Sequence, residues 1–303
     1  MSSFPFHTCD VFTRERFGGN QLAVFPDAGA IPEELMPRIA REFNFSETTF
    51  VLPPADTSHA RRVRIFTPGA ELPFAGHPTV GTAFVLAAVG EIALTGAETR
   101  IVLEEGVGPV PVVIRASGGR PDFAQLSVAR LPEFGPPPPS IDALARCLGL
   151  SPSDILAGDR APEAASCGVP FLFVQVRDRA TLGRARPRPD EFEKVLRSYW
   201  TADVFVFCDD PELAGSDVRA RMFAPFLGVP EDPATGSACC ALGGYLAKRD
   251  ARSEGTLRWV VEQGFEMGRP SLLHVEVDKR AGATTGVRVG GNCVMVTRGE
   301  LLL

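Results

Sequence analysis

A chain of 303 residues exceeds what one small core comfortably holds, so two domains, or one large duplicated domain, are expected. Hydrophobic residues make up 45% and charged residues 22%, as in folded globular proteins, and 30 Gly with 27 Pro announce many tight turns. A net charge of −6 and a pI near 5.4 argue against nucleic acid or an anionic membrane as partner, because both need a basic face. Small molecules are the expected partners.

The N-terminus, Met1-Ser2-Ser3-Phe4-Pro5-Phe6-His7, lacks a basic segment followed by an apolar run. No later apolar stretch approaches the roughly 20 residues that cross a bilayer, so a cytoplasmic location is expected. The seven cysteines are odd in number and scattered, without metal-ligand spacing, which predicts reduced thiols and no zinc site. A disulfide between the neighbours Cys239 and Cys240 would be strained.

In chain order, short apolar and β-branched runs predict strands at Val11–Phe12, Leu22–Phe25, Thr49–Leu52, Arg62–Phe66, Ile101–Leu103, Val110–Ile114 and Gln125–Val128. Helices are predicted over Pro32–Phe43 and Pro78–Val89, each opened by proline. Leu131–Ser140 contains four consecutive prolines and reads as a stiff extended linker. The expected division is therefore an N-terminal lobe of residues 1–130 and a C-terminal lobe of 131–290, with a last strand near 291–303 returning to the first lobe. The second half predicts helices at Ile141–Leu148, Glu191–Tyr199 and Ala238–Lys248, and strands at Phe171–Val176 and Asp203–Phe207. The Arg/Pro-rich stretch Arg177–Arg188 reads as a solvated loop. The chain is thus mixed α/β.

A duplication is visible. Arg64-Ile65-Phe66-Thr67-Pro68 resembles Arg221-Met222-Phe223-Ala224-Pro225, 157 residues later, and a Pro-x-x-Gly turn follows each, Pro73–Gly76 and Pro233–Gly236, 160 residues apart. Each copy reads as a strand, a glycine turn and a helix of small residues. Such a helix start offers unpaired N–H groups and a positive dipole end, which attract a carboxylate or phosphate. The alternative is that Gly76 and Gly236 merely make turns and Ser237 caps a helix. Two facing copies would enclose an anionic ligand.

Few groups here can do chemistry. Glu47, in Phe45-Ser46-Glu47-Thr48-Thr49-Phe50, is either an ordinary surface carboxylate or a partly desolvated one suited to proton transfer. His77, flanked by Gly76 and Pro78, reads as exposed for use. Asp232 precedes the second turn as a functional acid or as the start of an Asx-turn. There is no G-x-S-x-G elbow, no Walker A loop and no complete dinucleotide fingerprint.

Several strings together resemble the phenazine-biosynthesis (PhzF-like) isomerase/epimerase family: Asp10-Val11-Phe12-Thr13 with Phe17-Gly18-Gly19-Asn20-Gln21, Phe45-Ser46-Glu47-Thr48-Thr49, Glu71-Leu72-Pro73-Phe74-Ala75-Gly76-His77-Pro78, Glu231-Asp232-Pro233-Ala234-Thr235-Gly236-Ser237, and Gln263-Gly264 with Gly268-Arg269-Pro270-Ser271. The resemblance implies a diaminopimelate-epimerase-like α/β (α+β) fold: two pseudo-symmetric lobes, each a curved, mostly antiparallel sheet or barrel around a central helix, with the site in the cleft. It implies that Glu47 is the general acid/base, supported by His77 and Asp232. Ser46, Gly76, Gly236 and Ser237 would then help hold a small cyclic or unsaturated carboxylate, in a homodimer without metal or organic cofactor. Related thiol-dependent epimerases carry cysteine just before each turn glycine. Here Ala75 and Thr235 stand there, which disfavours two-thiol inversion. The alternative function is a ligand-binding or regulatory protein of the same fold.

Overall fold

A computed structural model describes residues 2–303. Its contacts divide the chain into two compact units, one running to Ala129 and including Val289–Leu303, the other Arg130–Arg288. No helix is long and apolar enough to cross a membrane among the described residues.

The first unit contains β1 (Ser3–Val11), β2 (Asn20–Phe25), α1 (Met36–Phe43), β3 (Glu47–Leu52), β4 (Arg61–Phe66), β5 (Glu71–Leu72), α2 (Gly76–Ala88), β6 (Glu98–Glu105), β7 (Gly108–Ser117) and β8 (Arg120–Ser127). The second contains β9 (Glu133–Phe134), α3 (Ile141–Leu148), β10 (Glu163–Ser166), β11 (Pro170–Gln175), α4 (Arg179–Arg184), α5 (Pro189–Leu196), β12 (Val204–Cys208), β13 (Val218–Ala224), β14 (Val229–Asp232), α6 (Gly236–Arg249), β15 (Gly255–Gln263) and β16 (Ser271–Arg280). The last strand, β17 (Ala283–Leu302), begins in the second unit and ends in the first.

In the first unit, strands pair in the order β1–β2–β3–β4–β6–β7–β8–β17, and β17 pairs back onto β1 with Val11 opposite Cys293. This closes an eight-stranded barrel, which leaves no free edge. Helix α2 packs on its strands and is buried at every residue from Gly76 to Ala87. Its sequence explains this: it has no charged residue and is apolar or small all round, as a fully enclosed helix must be.

The second unit repeats the pairing scheme step for step. The sequence antiparallel, parallel, antiparallel, antiparallel, parallel, antiparallel describes β1–β2, β2–β3, β3–β4, β4–β5, β4–β6 and β6–β7. It equally describes β10–β11, β11–β12, β12–β13, β13–β14, β13–β15 and β15–β16. Even the register is kept, since Arg62 lies opposite Glu104 and Arg219 opposite Glu262. Helix α6 occupies the place of α2, packed on β10, β11, β15 and β16. The duplication is therefore structural as well as sequential.

Two expectations need correction. Leu131–Ser140 is not a free linker throughout: Glu133 and Phe134 form β9 against β10, and Pro136 accepts a hydrogen bond from Tyr199 Oη at 2.8 Å. The residues before the proline run keep their N–H groups and so can pair with a sheet edge. Arg177–Arg188 is not all loop either, because Asp178 accepts from the Thr181 N–H at 2.7 Å and so starts α4.

Candidate active site

In the first unit, α1 ends at Asn44, whose left-handed φ of 52° turns the chain through Ser46 into β3. Glu47 is the first residue of that strand, its side chain largely but not wholly covered. Gly76 and His77 are the first two residues of α2. The fold brings Glu47 and His77 together: Glu47 Oε2 lies 3.2 Å from His77 Nε2, at ion-pair distance but not aligned as a hydrogen bond. On the other side of the ring, Asn20 Nδ2 lies 3.2 Å from His77 Nδ1.

His77 is only 4% exposed, contrary to the expectation of an exposed ring. Its flanking Gly76 and Pro78 belong to an enclosed helix rather than to a surface turn. Burial pulls its pKa down to about 3, against the opposing effect of a backbone hydrogen bond with Gln21, so the imidazole is neutral at physiological pH.

In the second unit, Asp232 ends β14 and is buried. Thr235 Oγ1 donates to Asp232 Oδ2 at 2.5 Å. Gln263 ties the turn together: its Oε1 accepts from the Thr235 N–H at 3.0 Å, while Nε2 reaches the Asp232 carbonyl at 2.8 Å and Thr235 Oγ1 at 2.9 Å. Gly264, at φ +78°, is required here, because a Cβ would lie 2.5 Å from the Pro233 carbonyl oxygen. Gly236 opens α6, and Ser237 follows as a half-buried second residue. Ser237 does not cap the helix. The cap position belongs to Thr235, whose hydroxyl is turned to Asp232 instead.

Both turns rest on a repeated brace. Arg64 binds Glu71 through two nitrogens at 2.8 and 2.9 Å, and Arg221 binds Glu231 through two at 2.7 Å. Such forked pairs fix geometry as well as charge. The helix starts share a second property. Helices α3 and α4 are capped by the side chains of Ser140 and Asp178, whereas α2 and α6, like α1 and α5, have no side-chain cap. First-turn N–H groups left without a cap keep their capacity for an anion.

Sequence reading overlooked Asn20, Thr235 and Gln263 as working parts, although all three lie inside the quoted strings. The signal was their position: each is a small polar residue beside a turn glycine. All seven cysteines are buried and free, and burial raises the pKa of both Cys239 and Cys240, so neither is an activated thiol. Among the described residues, no group of three or more His, Cys, Asp or Glu is placed to hold a metal ion.

A family model described as phenazine biosynthesis-like protein matches residues 9–299. The chain belongs to this family. It is 39% identical over 297 residues to an uncharacterized isomerase of Mesorhizobium japonicum, covering 97% of each chain. It is 36% identical over 298 residues to trans-2,3-dihydro-3-hydroxyanthranilate isomerase of Pseudomonas chlororaphis, covering 97% of this chain and 98% of that one. The crystal structure of a Bacillus anthracis phenazine biosynthesis protein of the PhzF family matches over 100% of both chains, with a TM-score of 0.87 and 28% identity. A hydroxyproline epimerase from Agrobacterium vitis, 14% identical with a TM-score of 0.61 over 99% of this chain and 92% of its own, shares the fold. The phenazine-biosynthesis-like chain is thus an isomerase by family, on a scaffold also used by epimerases.

Proposed function

We propose that this isomerase moves a proton between carbons of a small cyclic or unsaturated carboxylate, with Glu47 as the acid/base. The observation that carries the reading is the placement of Glu47 Oε2 3.2 Å from a buried His77 at the first turn of an uncapped, enclosed helix. As carboxylate, Glu47 takes a proton from a substrate carbon. The electron pair left behind spreads through the adjacent unsaturation, where helix-start N–H groups stabilise it. As carboxylic acid, Glu47 returns the proton to a different carbon. The sequence is redox-neutral and needs no electron carrier.

His77, neutral at this depth, orients the Glu47 carboxyl and is itself held by Asn20. Ser46 lies next to Glu47 and serves the same ligand, as does the Gly76 turn. Within the second unit, Asp232 is a further protonatable group, and Gly236 and Ser237 open a helix start able to bind an anion. A dihydro-hydroxyanthranilate, the substrate in the name of the Pseudomonas chlororaphis relative, is the first compound to try. Incubation with trans-2,3-dihydro-3-hydroxyanthranilate in heavy water reports carbon-bound deuterium. Glu47→Gln should slow incorporation by about 10²–10⁴-fold. An unchanged rate removes Glu47 from the chemistry, and binding without any exchange in the wild type favours a ligand-binding protein.

A further inference from the structure

The register that aligns Arg62 with Glu104, and Arg219 with Glu262, makes the next residues counterparts: Glu105 ends β6 and Gln263 ends β15. Each is buried, and each precedes a glycine packed on the turn proline. A Cβ on Gly106 would lie 2.8 Å from Pro73 Cα, and the Val107 N–H donates to the Pro73 carbonyl at 2.8 Å. Gln263 braces its turn as a neutral amide. Glu105 stands at the same place in the first unit with a carboxyl group.

Its bonding bears on where its proton sits, although the Ala75 carbonyl also accepts from the Thr79 N–H at 3.2 Å. Thr79 Oγ1 lies 2.6 Å from Glu105 Oε1 and 2.7 Å from the Ala75 carbonyl oxygen. A threonine hydroxyl has one hydrogen and can donate to only one of them. Ala75 is the cap residue of α2, one position before Gly76 and two before His77, and its carbonyl can only accept. If Thr79 donates there, Glu105 must donate to Thr79. Glu105 Oε2 has no hydrogen-bond partner in its buried position, which disfavours an anion further.

We propose that Glu105 is a positioning residue of this site: as a neutral acid it donates to Thr79, Thr79 donates to the Ala75 carbonyl, and the chain of bonds pins the helix start that presents Gly76 and His77. This rests on the proposed use of that helix start for an anionic substrate. Ionisation of Glu105 breaks the chain and places a negative charge beside the cradle.

The charged groups around Glu105 do not neutralise it. Arg62, Arg64, Glu71 and Glu104 line the same cavity of about 490 Å³. Arg64 is committed to Glu71 and Glu33, and Glu104 to His59 and the N–H groups of Ala55 and Asp56. Arg62 is exposed and only lies opposite Glu104 in the strand register, with no ion pair to Glu105, and on α2 the one titratable residue is the neutral His77. Burial raises the Glu105 pKa to about 8, against a smaller lowering by the Thr79 hydrogen bond.

The test compares full-length wild type, Glu105→Gln and Glu105→Ala from pH 6 to 9.5. Infrared difference spectra between wild type and Glu105→Gln should show a protonated carboxyl band at pH 6.5 that disappears with a midpoint near 8. The amide resonances of Gly76 and His77 should titrate with that midpoint in wild type and stay still in Glu105→Gln. With trans-2,3-dihydro-3-hydroxyanthranilate, wild-type KM should rise above pH 8 by up to about tenfold per pH unit. Glu105→Ala should raise KM about tenfold at pH 7 with kcat little changed, and Glu105→Gln, whose amide still donates to Thr79, should restore it and flatten the alkaline rise. Absence of the carboxyl band, or amide resonances that ignore Glu105, overturns the proposal. So does a KM profile shared by all three proteins. If the wild type turns over no carboxylate, the isomerase reading fails, and the infrared and amide titrations still decide the clamp.

Discussion

The two helix-start turns share a scaffold and differ in what can ionise. In both, an Arg–Glu fork closes the hairpin, a proline leads into an uncapped helix, and a glycine after the neighbouring strand packs on that proline. At the repeated positions, however, the first turn has His77 and Glu105 where the second has Ser237 and Gln263. Glu47 also belongs to the first unit. The second turn has one acid of its own, Asp232, already engaged by Thr235. The backbone architecture was thus kept in duplicate, while the buried His77 and Glu105 belong to one copy alone. The second turn is braced by a hydrogen-bond net around Gln263, and the first holds the buried ionisable groups His77 and Glu105.

The largest effect should come from crowding the rigid turn. Gly264→Ala forces a left-handed φ on alanine and drives its Cβ against two backbone oxygens, of Pro233 and Arg269, each 2.5 Å away. Together these should cost more than about 3 kcal/mol. Gly106→Ala, without a left-handed φ and with its nearest clash at 2.8 Å on Pro73 Cα, should cost about 1–3 kcal/mol. Urea unfolding of both variants checks the order. Equal losses, or a larger one at Gly106, would mean that the second turn is not the stiffer of the two.

Next comes the hydrogen-bond net. Gln263→Leu leaves the buried Thr235 N–H without its acceptor and removes both donors to the turn, for a loss of about 1–3 kcal/mol. Glu105→Leu removes one bond and a poorly solvated carboxyl, and Thr79 keeps the Ala75 carbonyl. It should cost under about 1 kcal/mol at pH 7. Denaturant midpoints measured side by side decide whether the asymmetry between the turns is energetic as well as chemical.

How much of this was legible before folding follows the same division. Local patterns carried the elements that pair or coil with near neighbours: the strand at Leu22–Phe25 and the helix at Ile141–Leu148 stand where their residues predict, whereas Gly76 and Gly236, read as turn residues, are the first residues of α2 and α6. The bracing residues were not legible, because their partners are distant in sequence. Gln263 meets Thr235 across 28 residues and Glu105 meets Thr79 across 26. Nothing in the string Leu103-Glu104-Glu105-Gly106 separates the carboxylate held at the surface loop by Ala55 and Asp56 from the buried acid beside it. Only the strand's alternation, seen once β6 is paired, sends the second of the two inward. The exposure of His77 was misread for a related reason, since glycine and proline mark an enclosed helix start as readily as an open turn.

The finest test of the comparison uses pH. Burial raises Glu105 to about 8 from an ordinary 4.5, so the folded state holds a proton that the unfolded chain has lost between those values. Its contribution to stability is therefore full below pH 4.5 and declines as pH rises to 8. Burial lowers His77 to about 3 from 6.5, so in that window the unfolded chain holds the extra proton and stability falls as pH falls. Each slope is at most about 1.4 kcal/mol per pH unit. The two oppose each other between pH 4.5 and 6.5, leaving Glu105 alone from 6.5 to 8. Replacing Glu105 by Gln should consequently make the protein gain on wild type steadily from pH 4.5 to 8 and no further above 8. A parallel pair of stability curves would show that Glu105 is ionised in the folded protein, and that the first turn is no more titratable there than the second.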